Sequence, residues 1–433
     1  MPVGDSMTTN GGGKLRRTLG LWDATAINVG AIIGGGIFVV TGIVAGLAGA
    51  ALVVSILVAG AISLFTALSF AELTAWQPVE GSVYEYAHQL ISPFAGFLTG
   101  WMWLLSNLFS GAAVSLGFAY YLAAAFPELP THIVAALMCI VFSALNFVGI
   151  KQSAKLNNVL VLIKLAALSF FVLFGLFYVN EGNFAPFEPL TSGVFLGAYF
   201  IFFAYGGFAR IAVVAEEVKD PKRTVPKAIL LSLVISTAVY ALVGTIAVGL
   251  VGSAKLASSN SPLIQAINVT GSSVAIAVIS IGGLVATASV LLTSILGVSR
   301  MAFSMARRKD MPSAFGRLHQ KFGTPHYAIW ILGAIMSLLV LFFDLTRVVA
   351  LSTFALLFYY AIANFTALRL KNENRQYPRT ISAVGLASCL VLLAFIFSQL
   401  SELQSWIIGV ACLIVGAIFY VIKQAVSRIF RDK

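Results

Sequence analysis

The 433 residues are 59% apolar and only 10% charged, which excludes an ordinary soluble domain. The apolar residues arrive in blocks of roughly 20 or more separated by short polar stretches, the pattern of membrane-spanning helices in a single bundle. Cys139, Cys389 and Cys412 lie inside apolar blocks, and the four histidines lie in or beside connecting segments. Neither set has metal-ligand spacing, so no metal or other cofactor is expected.

Taken in chain order, residues 1–20 read as a flexible polar segment with no cleavable signal peptide. Twelve spans follow, at about 22–46, 51–75, 93–126, 131–149, 156–178, 191–216, 225–252, 272–306, 326–343, 346–370, 382–400 and 404–424. The third and eighth blocks exceed the length needed to cross a hydrocarbon core of about 30 Å, so those helices tilt or protrude. With the N-terminus inside, all but four of the 27 lysines and arginines fall on the inner side. Lys255 and Arg347 lie outside, and Lys164 and Arg210 within spans. This bias predicts an even number of spans and both termini in the cytoplasm. The net charge of +11 therefore reports topology and gives no reason to expect a nucleic-acid partner.

Two spans carry interruptions. The first contains Gly30-Ala31-Ile32-Ile33-Gly34-Gly35-Gly36-Ile37-Phe38, and the sixth contains Phe202-Phe203-Ala204-Tyr205-Gly206-Gly207-Phe208. Glycine costs a helix about 1 kcal/mol relative to alanine, so the clusters favour either unwinding or very close helix contact. A half-helix starting at Gly34 to Gly36 would turn free N–H groups and a positive dipole end toward a carboxylate. Unpaired carbonyls of Ala31, Ile32, Phe203 and Ala204 would accept from an ammonium group. Such a site binds the zwitterionic part of an amino acid without a charged side chain.

Three segments carry a family likeness. Phe202 to Ile229 (FFAYGGFARIAVVAEEVKDPKRTVPKAI) resembles the sixth span and following loop of the amino acid–polyamine–organocation transporters. Leu21 to Phe38 (LWDATAINVGAIIGGGIF) is similar to that family's first span, and Ser299 to Pro325 (SRMAFSMARRKDMPSAFGRLHQKFGTP) to the end of its eighth span and the loop beyond. The resemblance implies an all-α membrane protein in the cell membrane with two five-helix repeats of inverted topology, 21–180 and 190–371. Two accessory spans over 380–424 and a basic tail over 425–433 complete it. It also implies alternating access around broken helices one and six.

At matching positions the resemblance places the carboxylate on the amides near Gly34, Gly35 and Gly36. It places the amine on carbonyls of Ile32, Phe203 and Ala204, with Tyr205 beside them, Phe203 closing over the solute from outside, and Gly206 lining the side-chain pocket. Gly35 departs from the serine or threonine common there and removes one donor. Lys164 resembles a built-in replacement for the sodium of other transporters with this fold, reaching the carbonyl of Gly30 and the hydroxyl of Ser289. Three readings of Lys164 stay open: reversible deprotonation coupling protons to transport, a permanent charge pinning spans one, five and eight, and snorkelling to the inner surface. Thr287 and Ser289 leave sodium as a lesser alternative.

Arg210 reads as an inner gate, because a charge at its depth is costly. Glu216 and Glu217 read better as a solvated helix end, and Asp23 as a helix-end carboxylate. Glu72 and Glu85 flank a structured turn. Trp101, Trp103 and Asn107 either line the pocket or pack. With no convincing mid-span carboxylate, neutral amino acids are favoured over cationic ones, carried with protons or by obligatory exchange. An ion channel is a remote alternative without a visible filter, and no constellation for enzyme catalysis stands out.

Overall fold

The computed structural model describes residues 19–77, 82–149, 154–208, 218–399 and 403–429. Among them the chain is helical apart from connections and one isolated parallel bridge between Leu19 and Val218. The helices are α1 (Leu21–Ile32), α2 (Gly35–Ala48), α3 (Leu52–Trp76), α4 (Ser82–Leu90), α5 (Pro93–Ala123), α6 (Thr131–Val148), α7 (Ala154–Gly175) and α8 (Ser192–Phe202). There follow α9 (Pro221–Val251), α10 (Ser253–Ala257), α11 (Pro262–Ile267), α12 (Ser273–Arg307), α13 (His326–Phe342), α14 (Leu345–Leu368), α15 (Arg379–Phe397) and α16 (Leu403–Ile429).

Nine stretches among the described residues are long and apolar enough to cross a bilayer, one of them running from Gly35 to Trp76 through a 3₁₀ turn at Gly49–Ala51. Two further apolar helical stretches, Ser192–Tyr205 and His326–Phe342, are shorter. The first expected span is two helices, α1 and α2. Helices α5 and α12 have 31 and 35 residues, about 46 and 52 Å at the standard rise. Helix α9 also reaches 31 residues. It starts four positions before the expected boundary, because Pro221 at the first helical position has no N–H to leave unpaired and the helix therefore accommodates the charged stretch from Lys222 to Lys227.

Helix α5 packs along both α12 and α14, α3 along α9 and α8, α6 along α13, and α1 along α9 and α7. Large apolar side chains on the outer faces, including Leu137 and Ile140 of α6, Leu338 of α13 and Val415 of α16, are exposed. Such faces suit lipid, where helices hold together by packing and internal polar contacts.

The connections at one end of the bundle are tied by charge. Glu72, at the end of α3, accepts from the backbone N–H groups of Gln376 and Tyr377 at 3.0 and 3.2 Å and pairs with the Arg375 guanidinium at 3.2 Å, by charge without hydrogen-bond alignment. Both side chains are buried, at 1% and 7% exposure. Glu85 of α4 pairs with Arg308 beyond α12. Asp310 accepts from Tyr84 at 2.6 Å and pairs with Lys423 of α16. Burial and the bond to Asp310 hold the Tyr84 hydroxyl well above the usual phenol range, so it stays a donor. Removing one partner of a buried pair costs about 3–5 kcal/mol. Glu72→Ala is therefore expected to lower the unfolding midpoint of the purified protein clearly, while Glu85→Ala, whose partner Arg308 is half-exposed, lowers it much less; fluorescence-detected melting in detergent checks both.

Candidate functional site

Helix α1 ends at Ile32, and Ile33 and Gly34 leave helical geometry before α2 begins at Gly35. In a continuous helix the Gly34 N–H would bond the carbonyl of Gly30; here it donates to Ile32 at 2.8 Å. That frees the Gly30 carbonyl. The first turn of α2 meanwhile begins with N–H groups that have no acceptor in a preceding turn. In the second break α8 stops at Phe202, and a 3₁₀ turn over Phe203–Tyr205 leads into Gly206 and Gly207, where Gly207 N–H bonds Tyr205 O at 2.7 Å.

The two breaks touch. A Cβ on Gly36 would lie 2.6 Å from the Ala204 Cβ, and one on Gly207 would lie 2.4 Å from the Ala31 carbonyl carbon and oxygen. The glycines therefore divide the two uses that sequence leaves open. Gly34 sits at the unwinding, and Gly36 and Gly207 permit backbone contact.

A cavity of about 40 Å³ lies at this junction, room for a few water molecules at most. Its wall includes Ile32, Gly34, Gly35, Gly36, Phe203, Ala204 and Gly206 from the breaks, and Ser106, Asn107, Ser110, Ser294, Ser352 and Tyr359 from α5, α12 and α14. No described lining residue is charged. Tyr205 goes elsewhere: its ring is fully buried against Tyr240, and its hydroxyl donates to Ile56 O at 3.1 Å. The 3₁₀ turn directs it away from the cavity.

The carbonyls at the breaks already have company. The Tyr240 hydroxyl of α9 lies 2.6 Å from Ile32 O and 3.0 Å from Ala204 O, and its single hydrogen serves one of them at a time. Ile32 O also accepts from Gly34 N–H, and Phe203 O from Gly206 N–H at 3.1 Å. Of the three carbonyls expected for an amine, Ala204 keeps the most spare acceptor capacity. Tyr240 is absent from the sequence-based site because an isolated tyrosine in an apolar span carries no local signal.

Lys164 of α7 is 2% exposed. Its Nζ donates to Gly30 O at 2.9 Å and to Ser289 Oγ at 3.0 Å. Among the described residues no carboxylate pairs with it. The side chain does not run to the end of its helix, so snorkelling is overturned by these two contacts. The Thr287 hydroxyl bonds back to Gly283 O at 2.7 Å within α12.

The cavity serines carry no local sequence signal either: Ser106 and Ser352 exchange bonds with each other's carbonyls at 3.0 and 2.8 Å, a pairing that exists only where α5 and α14 meet. Asn107 donates one amide N–H to Trp103 O at 2.9 Å, which leaves its second N–H and its Oδ1. Trp101 instead donates to Cys412 O at 2.9 Å and stacks with Phe97 and Phe419 against α16. Asp23 caps α1 by accepting from Gly20 N–H at 3.1 Å. Arg210, Glu216 and Glu217 lie outside the described residues.

Residues 19–427 match the family model described as amino acid permease. The chain belongs to this family, within the amino acid–polyamine–organocation transporters. It is 36% identical to an uncharacterized transporter of Mycobacterium tuberculosis over 96% of this chain and 93% of the relative. It is 31% identical to a branched-chain amino acid permease of Bacillus subtilis over 87% and 86% of the two chains, and 29% identical to a methylthioribose transporter of the same organism over 94% and 93%. This permease is thus a multi-pass integral membrane transporter.

The contact between the two breaks yields a direct test in the permease. Gly207→Ala pushes a methyl group into the Ala31 peptide, which is backbone and cannot rotate away. Uptake in reconstituted vesicles is expected to fall at least tenfold, whereas Gly271→Ala, where a Cβ meets nothing within 4 Å, leaves uptake within about twofold despite its left-handed backbone.

Proposed function

We propose that this permease carries neutral amino acids by alternating access, independently of sodium, with Lys164 coupling transport to protons. The observation that carries the reading is the cavity itself: two helix breaks meet around a space walled by backbone, hydroxyls and one amide, with no charged side chain among its described lining. The start of α2 suits a carboxylate, and the carbonyl of Ala204, next to the Tyr240 hydroxyl, suits an ammonium group. A fixed lining carboxylate would favour a cationic solute, and none is among the described lining residues. The relatives' names include a branched-chain amino acid permease and a methylthioribose transporter but also cationic amino acid transporters, so the choice of neutral solutes rests on the uncharged lining.

The helix contacts support a repeat of inverted topology. Exchanging the first five spans for the next five maps α5 against α14 onto α12 against α7, and α1 against α9 onto α8 against α3, and all four contacts occur. The self-related pairs α3 with α9, α5 with α12 and α6 with α13 also pack together. Movement of one set of spans against the other around the fixed junction would expose the cavity to either side in turn. The cytoplasmic termini rest on the distribution of lysine and arginine, and the plasma membrane location on the family resemblance.

Lys164 supports coupling because its ammonium bridges Gly30 at the end of α1 to Ser289 of α12 without a carboxylate among the described residues to hold its proton. Loss of that proton would release two helices that must part. The second reading is obligatory exchange with a permanently charged Lys164, favoured by the same two short bonds, which suit a fixed pin.

Reconstitution in sodium-free vesicles separates the readings. Accumulation of labelled neutral amino acids into empty vesicles under an inward proton gradient supports coupling, and movement only into preloaded vesicles supports exchange. Lys164→Gln is expected to abolish stimulation by the gradient while counterflow persists, and Lys164→Arg to keep the fold without restoring stimulation; full proton dependence in either variant contradicts the role given to Lys164. Tyr240→Phe removes the one hydrogen shared by the Ile32 and Ala204 carbonyls and is expected to change the KM for substrate about tenfold, with a smaller effect on the maximal rate, measured as initial uptake.

A further inference from the structure

Between α12 and α13 the chain closes a tight turn, with His319 N–H on Thr324 O at 2.9 Å and Gly323 N–H on His319 O at 2.8 Å. Beside it lies an open recess of about 590 Å³ lined by Arg317, His319, Gln320, Lys321, His326 and Tyr327, among others. Its lining is cationic and contains no carboxylate among the described residues. Arg317 and Lys321 are exposed and enter no ion pair among the described residues. The two imidazoles form a rigid wall: His319 stacks on Phe322, meets Phe147 edge-on, and contacts His326 at 5.5 Å between ring centres. The Nδ1 atoms of His319 and His326 are both buried without a hydrogen-bond partner. These atoms are sealed inside the protein, so the imidazoles act as wall, and the charge presented to the recess comes from Arg317 and Lys321.

The recess adjoins an apolar surface. Helix α13 starts at His326, and one turn further on Trp330 is exposed, followed by Ile331, Ile335 and Leu338 on the outer face. A ligand that filled the recess with a phosphate would find acyl-chain contacts immediately beyond it.

We infer that this recess is a headgroup site for an anionic glycerophospholipid, with Arg317 and Lys321 facing the phosphate charge, the ring wall of His319 and His326 bounding it, and the acyl chains lying along Trp330 and Ile331. Basic recesses at the end of a membrane helix hold anionic headgroups by this combination of charge and depth. The site is separate from the cavity at the helix breaks and needs no assumption about the transported solute.

The test uses the full chain, delipidated in neutral detergent and titrated with short-chain phosphatidylglycerol or phosphatidylcholine, with bound lipid counted by native mass spectrometry. Phosphatidylglycerol is expected to bind at least tenfold more tightly than phosphatidylcholine. Arg317→Gln combined with Lys321→Gln should remove most of that preference, while Arg317→Lys combined with Lys321→Arg should keep it. In the wild-type protein, brominated phosphatidylglycerol should quench tryptophan fluorescence more than its brominated phosphatidylcholine counterpart, and Trp330→Phe should abolish the difference; this arm needs no charge variant to fold. Equal binding of the two lipids, an unchanged preference in the neutralised variant, or the same quenching in Trp330→Phe overturns the site. Displacement of phosphatidylglycerol by an equal concentration of inorganic phosphate would assign the recess to a free anion and overturn the lipid reading.

Discussion

A carbonyl released from its helix inside a bilayer has no water to bond, so it must find a donor within the protein. The break at Ile33 and Gly34 releases Gly30 O, and Lys164 takes it at 2.9 Å. The same ammonium reaches Ser289, so one unpaired backbone atom ends up joining α1, α7 and α12. Tyr240 answers the same need on the other side of the junction, where its hydroxyl stands between Ile32 O and Ala204 O. The polar architecture of the centre is built to satisfy backbone that the helix no longer satisfies.

This requirement also explains why the breaks lie against each other. Two unwound segments far apart would each need a separate supply of donors, whereas contact between Gly36 and Ala204 and between Gly207 and Ala31 lets one tyrosine serve both. The contact depends on the absence of side chains at two positions. What remains between the segments is a small space whose polarity comes from peptide groups and from serines of α5, α12 and α14. Part of that polarity is already committed, since Ser106 and Ser352 bond each other's backbone. The free capacity lies at the start of α2, at Ala204 O, on the Asn107 amide and on the hydroxyls of Ser110 and Ser294.

The ends of the bundle follow a different rule. Near water, charges are affordable, and carboxylates hold connections in place: Glu72 gathers the loop after α14, and Asp310 joins α4 to α16 through Tyr84 and Lys423. The contrast between a charge-tied end and a cavity with no charged side chain among its described lining suits a carrier, which needs firm supports around a site with few competing charges.

The sequence by itself determined the helical membrane class, the family, the places where helices one and six break, and the lysine that lies opposite the first break. These were legible because each is written locally: long apolar blocks, clustered glycines, and a lone cation in an apolar run whose cost demands a partner. The tertiary structure decided which glycines unwind and which make contact, because a neighbour's backbone makes that distinction. It turned Tyr205 toward Ile56, brought Tyr240 to the carbonyls, and placed Ser106, Ser110, Ser294 and Ser352 around the cavity, since a serine in a membrane helix reads alike whether it faces its own backbone, a neighbour or a pocket. Composition and spacing register what a segment costs to bury; only the packed bundle determines which neighbour offsets that cost.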